Sequence, residues 1–232
     1  MTIDKHSQLE NHLQNTKISL MMPQLAHPEK ICRLDFSPHN TGLMVIDMAD
    51  TEIFSEYVEQ MMAEKGAEAG VGGYMEWREI YRRSRLFDGE GEDRCIHLGV
   101  DIWAPALSPV HTPLAGKIHS LKDNEGYGNY GGMVIIEHQL EDLTLYSLYG
   151  HLSKASVERW EEGQKLNSGD RVGELGIAEE NGHWPAHLHF QLMFDMLGMK
   201  GDFPGVCTRR DQPKYQAICP NPNLLLGLSV LE

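Results

Sequence analysis

A mainly β fold is predicted: an antiparallel sheet sandwich or barrel-like core, with an N-terminal α+β extension and an irregular C-terminal tail. Three observations predict it. From Arg94 onward the chain is a succession of short β-rich runs, GKIHSL, GMVIIEH, LTLYSLYGHL, RVGELGI and HLHFQLMF. Turn-forming segments, KDNEGYGN, EEGQKLNSGD and EENGHWP, separate them. Helical periodicity is confined to the residues before Arg94. Many short strands joined by glycine-rich turns belong to sandwiches and small barrels. The expected division is an extension over 1–90 with one or two helices packing on the core, a β core over 91–197, and a tail over 198–232 that wraps it.

Each element has its own signal. The first forty residues are polar and read as loosely structured. TGLMVIDMA reads as a short buried strand. Asp50 is placed to cap a helix over TEIFSEYVEQMMAEKG, in which Ile53, Phe54, Tyr57, Val58, Met61 and Met62 recur at helical spacing on one face. The methionine pair reads as core filler, and Gly66 suits the helix end. GVGGYMEWREIYRRSRLF reads as a second helix with Trp77, Ile80 and Tyr81 on one side and a solvated arginine face. Tyr74 and Arg78, close to the chemistry described below, are candidate substrate groups, because aromatic and arginine side chains are common recognition elements. The proline- and glycine-rich tail lacks a periodic pattern of its own.

Bulk properties narrow the function. At 232 residues, a compact fold buries roughly 70–75% of the unfolded chain's surface and needs no disulfide or membrane for stability. The net charge of −14 repels polyanions, so neither nucleic acid nor an anionic membrane is an expected partner. Its ordinary meaning is solubility. Cys32, Cys95, Cys207 and Cys219 form no C-x-x-C pair, and they read as reduced structural residues rather than a zinc knuckle or redox motif. The apolar run ISLMM ends at Pro23, short of a secretory core, and a cytoplasmic location is expected.

The candidate chemistry starts from HLHFQLMF. On a strand, Leu188, Phe190, Leu192 and Phe194 share one face, and His187, His189, Gln191 and Met193 the other. Two histidines then lean into the same space, about 7 Å apart along the strand. A helical reading of His183 and His187 fails at Pro185. His151 closes the strand LTLYSLYGHL. In HLGVD, a straight strand would leave His97 and Asp101 about 13 Å apart, too far for both to reach one ion at about 2 Å. Gly99 is expected to let the chain bend and close that gap. His97, Asp101, His151, His187 and His189 thus form the candidate set. Two histidines and a carboxylate suit a catalytic zinc with one open position, and two further histidines remain to handle protons.

With these residues in place, the chain resembles the lysostaphin- and LytM-type zinc metallopeptidases, many of which cut peptide bonds in peptidoglycan. HLGVD, YGHLS and HLHF occur in the family's order. GYGN, VIIEH, GQKLNSGDRVGELG and APALSPVHTPLAGKI support the match, which runs from about Cys95 to Phe194. The resemblance implies one zinc ion on His97, Asp101 and His189. It also implies His151 and His187 as the catalytic histidines, and the family's antiparallel β core with a groove over the metal.

Two features depart from the family pattern. AEENGHWPA is bulky and acidic where a small turn is usual, so His183 and Trp184 are expected to narrow the groove. With Tyr127 of GYGN they join the candidate substrate residues. The tail and the GGYMEWREIYRRS segment resemble an intracellular subgroup, some of whose members are fused to aminotransferase-like enzymes. The expected activity is zinc-dependent hydrolysis of a peptide or amide, the substrate being a peptidoglycan-like peptide or a small amide. The alternative is a non-catalytic metal-containing binding or regulatory module with a protein partner. A lipoyl-type carrier would need a modified lysine at a hairpin tip, and no such turn occurs.

Overall fold

The computed structural model describes residues 4–89 and 92–232, so the expected boundary between 90 and 91 lies outside the described residues. The chain opens with helix α1 (Lys5–Leu13) and the short strand β1 (Ile31–Arg33). Leu9, Leu13, Met21, Met22 and Leu25 are all buried in the main core, so residues 4–40 are not loose. Their polar composition hides a few well-spaced anchors. TGLMVIDMA is not a strand either. It forms a 3-10 turn over Thr41–Met44, with Met44 and Val45 80% and 84% exposed. An apolar run without a partner strand has no ladder to join.

Helix α2 (Thr51–Ala63) follows, and the Asp50 carboxylate accepts from the backbone N–H groups of Glu52 and Ile53. Phe54 and Val58 carry its buried face. Gly66 ends the segment at φ +62°, a left-handed conformation that favours glycine. Strand β2 (Ala69–Gly72) comes next. The expected second helix is replaced by two 3-10 turns, Ile80–Arg83 and Arg85–Phe87. The solvated arginine face is corrected with it: Arg78 and Arg83 are buried, and Arg82 stays exposed.

The β region then runs β3 (Ile96–His97), β4 (Val100–Trp103), β5 (Pro109–His111), β6 (Gly116–Asn124), β7 (Gly131–Leu140) and β8 (Leu143–Leu152). After a short helix α3 (Lys154–Glu158) come β9 (Lys165–Leu166), β10 (Arg171–Glu174) and β11 (His187–Met193). The tail holds β12 (Val206–Cys207) and helices α4 (Gln212–Ile218) and α5 (Asn223–Leu226).

One sheet dominates, in the order β1-β2-β4-β11-β8-β7-β6-β9, with β5–β10 and β3–β12 as separate two-stranded ribbons. All its pairings are antiparallel except β1 with β2. The architecture is mainly β but no closed barrel. β1 and β9 remain as edges, because the extension adds strands outward along the sheet instead of bending it shut. The main core joins one face of the sheet to Val110 and Val172 of the β5–β10 ribbon, to α1 and to Leu225 and Leu228 of the tail. A second cluster gathers Leu34, Phe36, Phe54, Val58, Ile80 and Tyr81 of the extension against Trp103 and Trp184. All four cysteines are free thiols. Among the described residues no helix is long and apolar enough to cross a membrane.

Candidate metal centre and cleft

Strand pairing places the candidate residues. β11 lies between β4 and β8, and its register sets His189 opposite Asp101 on one side and Gly150 on the other. His187 and His189 share a face by strand alternation, and Leu188, Phe190 and Leu192 enter the main core from the other. His151, one residue past Gly150, adopts φ +64°. Such a conformation costs energy in a residue with a side chain and concentrates at functional sites.

His97 and Asp101 do come together, with His97 Nε2 3.2 Å from Asp101 Oδ1. The closure has a cause other than the expected backbone freedom. His97 belongs to the ribbon with β12 and Asp101 to the large sheet, so the chain changes sheets between them. Gly99 is required for space: a Cβ there would lie 2.6 Å from the Phe190 carbonyl oxygen and 2.9 Å from His189 Cε1.

Each imidazole is oriented by an outer partner. His97 Nδ1 donates to the Gly73 carbonyl at 3.1 Å, which turns Nε2 inward. His189 Nε2 donates to Gln191 Oε1 at 2.9 Å. The Gln191 amide is itself oriented by donation to the Pro204 carbonyl at 3.2 Å. His189 Nδ1 is then left 3.1 Å from Asp101 Oδ1 and 3.0 Å from His97 Nε2. These tautomers follow from the partners, since a carbonyl only accepts. Burial, reinforced by the nearby Arg78 charge, lowers the His97 imidazole to about 3, so it is neutral at physiological pH. Burial pushes the Asp101 carboxyl up. His97, Arg78 and His187 outweigh that effect and hold it well below the usual carboxylate range. One ligating atom from each of His97, Asp101 and His189 lies within 4.8 Å of the others. Converging acceptors of this kind fit a divalent cation. Two nitrogens and a carboxylate oxygen suit zinc, and the Gly73 and Gln191 partners are the outer hydrogen bonds such ligands use.

The second Asp101 oxygen is held by Arg78, whose guanidinium also donates through Nε to Glu76 at 2.7 Å. Arg78 is therefore a buried partner of Asp101, not the substrate group expected. It reaches this position because Gly72 pairs with Asp101 across β2 and β4. A Cβ on Gly72 would sit 2.5 Å from Arg78 Nη2.

His151 and His187 stand side by side, ring centroids 4.2 Å apart. Their Nδ1 atoms donate to the Asn181 and Pro185 carbonyls at 2.8 and 2.7 Å, so both Nε2 atoms face the cleft. His187 Nε2 is 4.0 Å from Asp101 Oδ1. Burial lowers both imidazoles, and for His151 the neighbouring His187 adds to the effect.

A cavity of about 160 Å³ opens onto Asp101, His151, His187 and His189. Trp184 lines it as expected. The other candidate substrate residues stand apart from it. The Tyr127 hydroxyl is tied to the Ala49 carbonyl at 2.6 Å and to Arg83, and its ring stacks on exposed His183 at 5.8 Å. Tyr74 packs on the main core and donates to the Cys219 carbonyl at 2.6 Å. Sequence reasoning missed Tyr81 and Tyr130, which line the cavity. It also missed Gln191 as a partner of His189, although the alternation that paired the histidines puts Gln191 on the same face.

Residues 95–200 match peptidase family M23. This segment is an M23 domain. No curated protein sequence matches the chain. Among solved structures, a zinc-containing peptidase from Vibrio cholerae is 25% identical, with 42% of this chain and 27% of that one covered at a TM-score of 0.34. The catalytic domain of the prophage-encoded M23 protein EnpA from Enterococcus faecalis is 23% identical, with 51% and 82% covered and a TM-score of 0.36. The catalytic domain of the antimicrobial peptidase lysostaphin from Staphylococcus simulans is 22% identical, with 53% and 80% covered and a TM-score of 0.34. Assignment to M23 rests on the family match and on the motif residues within it. The arrangement around Asp101 thus lies in the M23 domain, while Arg78 and Glu76 reach it from outside.

Proposed function

We propose that this chain is a zinc-dependent hydrolase that cleaves a peptide or amide bond. One observation carries the reading: the inward nitrogens of His97 and His189 and one oxygen of Asp101 converge beside two histidines whose Nε2 atoms face the same cavity. His97, His189 and Asp101 would hold the ion. A bound zinc polarises a carbonyl and lowers the pKa of water toward about 7. Arg78 keeps the other Asp101 oxygen engaged, so the carboxylate offers a single oxygen to the centre.

His151 and His187 handle protons. Being neutral, one accepts a proton from the attacking water as its oxygen bonds to the carbonyl carbon. The other, protonated at Nε2 as an imidazolium, donates a hydrogen bond to the carbonyl oxygen as negative charge develops there. The C–N bond then breaks, and the proton taken from water passes to the leaving nitrogen. The products are a carboxylic acid and an amine, which settle as carboxylate and ammonium when the acid proton moves to the amine, with no other reactant consumed.

Metal content by mass spectrometry, on protein purified without added metal, tests the centre. About one zinc per chain in the wild type and none in His189→Ala is the expected result. Absence of metal from both, with no uptake of added zinc, would remove the proposal. His151→Ala and His187→Ala are expected to keep zinc and lose turnover of peptide substrates.

A further inference from the structure

Much of the cleft wall comes from segments outside residues 95–200, joined by Trp103, Trp184 and the turn over 128–130 from within them. One bank is Phe54, Ile80, Tyr81 and Phe87 of the extension with Trp184; the other is the tail from Asp202 to Val206. Neither is a free flap. Arg83 ties the first bank together from behind: its Nη2 donates to the His183 carbonyl at 2.8 Å, its Nε to the Tyr127 hydroxyl at 3.0 Å, and its guanidinium lies 4.5 Å from the Trp184 ring. The second is fixed by the β12–β3 pairing and by the Tyr130 hydroxyl, which donates to the Phe203 carbonyl at 3.2 Å. Asp101, His151, His187 and His189 consequently lie at the bottom of an apolar shaft, none more than 6% exposed. Half-buried Arg94 stands at its rim over the Phe87 ring at 5.5 Å and donates to the Leu86 carbonyl. No carboxylate among the described residues forms an ion pair with it.

We infer, resting on the hydrolase reading above, that the substrate is a short peptide with a large apolar side chain beside the scissile bond and a free C-terminal carboxylate. The side chain fills the aromatic shaft, and the carboxylate meets Arg94. Rejection of side-chain-free substrates follows from the apolar wall, since even methylene-sized differences in such pockets change specificity by about 10-fold or more. Arginine pairs with a carboxylate through two parallel hydrogen bonds, which an amide cannot replace.

The test uses the zinc-loaded full chain with alanyl-phenylalanine, its C-terminal amide and pentaglycine. Binding is measured by calorimetry on His151→Ala, and turnover on the wild type. Alanyl-phenylalanine is expected to bind at least about 10-fold more tightly than either comparison peptide. Adding Arg94→Gln should erase the difference between acid and amide and leave both better than pentaglycine. Equal binding of all three peptides, or an acid preference untouched by Arg94→Gln, would overturn the inference. The two readings fail separately. Preferential hydrolysis of pentaglycine sinks the substrate class and keeps the hydrolase. Binding in the expected order without hydrolysis by the wild type sinks the hydrolase and keeps the ligand class.

Discussion

The floor of the cleft lies on β4, β8 and β11, neighbours in one sheet, whereas its banks come from α2 and the 3-10 turns of the extension, the turns carrying Trp184 and residues 128–130, and the tail. Floor residues are located by register. Once His189 pairs with Asp101 and Gly150, the position of His187 follows from a period of two, and His151, one residue past Gly150, reaches the same cleft through its left-handed backbone at φ +64°. Bank residues are located by packing, through aromatic contacts and the Arg83 tie. A chain that holds its chemistry in a ladder can alter its banks without moving the centre. Arg78 is the exception, because it belongs to the extension yet grips a floor residue.

The largest expected effect isolates the floor. His151→Ala should retain zinc and lose about 10²–10⁴-fold in turnover, the usual share of a general acid–base group. Parallel metal analysis and single-turnover kinetics check it, and loss of metal would show that His151 belongs to the coordination set.

Arg78→Met probes the crossing between the two regions. Removing a second-layer partner typically costs 10–100-fold in metal affinity, to be read by chelator competition. Without metal, the same change leaves Asp101 and Glu76 buried and unpaired, at about 3–5 kcal/mol of stability by urea denaturation. Excess zinc should recover part of that loss. Equal losses with and without zinc would mean that Arg78 supports the fold alone.

A third measurement reads the sheet beyond the cleft. His138 is fully buried on β7, donating through Nδ1 to the Ala115 carbonyl and facing Ser147 Oγ at 2.7 Å. Burial lowers its imidazole from 6.5 to about 4. Between these values the unfolded chain binds a proton that the folded chain refuses, so stability falls as pH drops through this window. The penalty levels off below about pH 4 at about 3 kcal/mol. Urea midpoints from pH 7 to 4 should show a slope to which buried His97, His151 and His187 also contribute, and His138→Gln should make it shallower by the His138 share.

The smallest effect belongs to a bank. Asp50→Ala removes the α2 cap and should cost about 1 kcal/mol with zinc content unchanged. A change in zinc content would contradict the independence of bank and floor.

Much of the floor was legible because alternation is a local property. HLHF states which residues share a face, and HLGVD offers a histidine and a carboxylate at a spacing that only a turn between sheets can close. The cap at Asp50 and the Phe54–Val58 face of α2 were equally legible from spacing. TGLMVIDMA misled because apolar content without a strand partner does not make a strand. YMEWREIYRRS misled because its arginines look like a solvated face until a buried carboxylate arrives opposite one of them.

The sequence by itself determined the short-strand β architecture and the five candidate residues, since periodicity and motif order are written along the chain. Only the tertiary structure decided that Arg78 would hold Asp101, that Gly99 is needed for space against β11, and that distant segments would wall the cleft. Those outcomes depend on which edge of the sheet β2 joins and on where the tail returns. Side-chain identity along the chain does not reveal such long-range pairings.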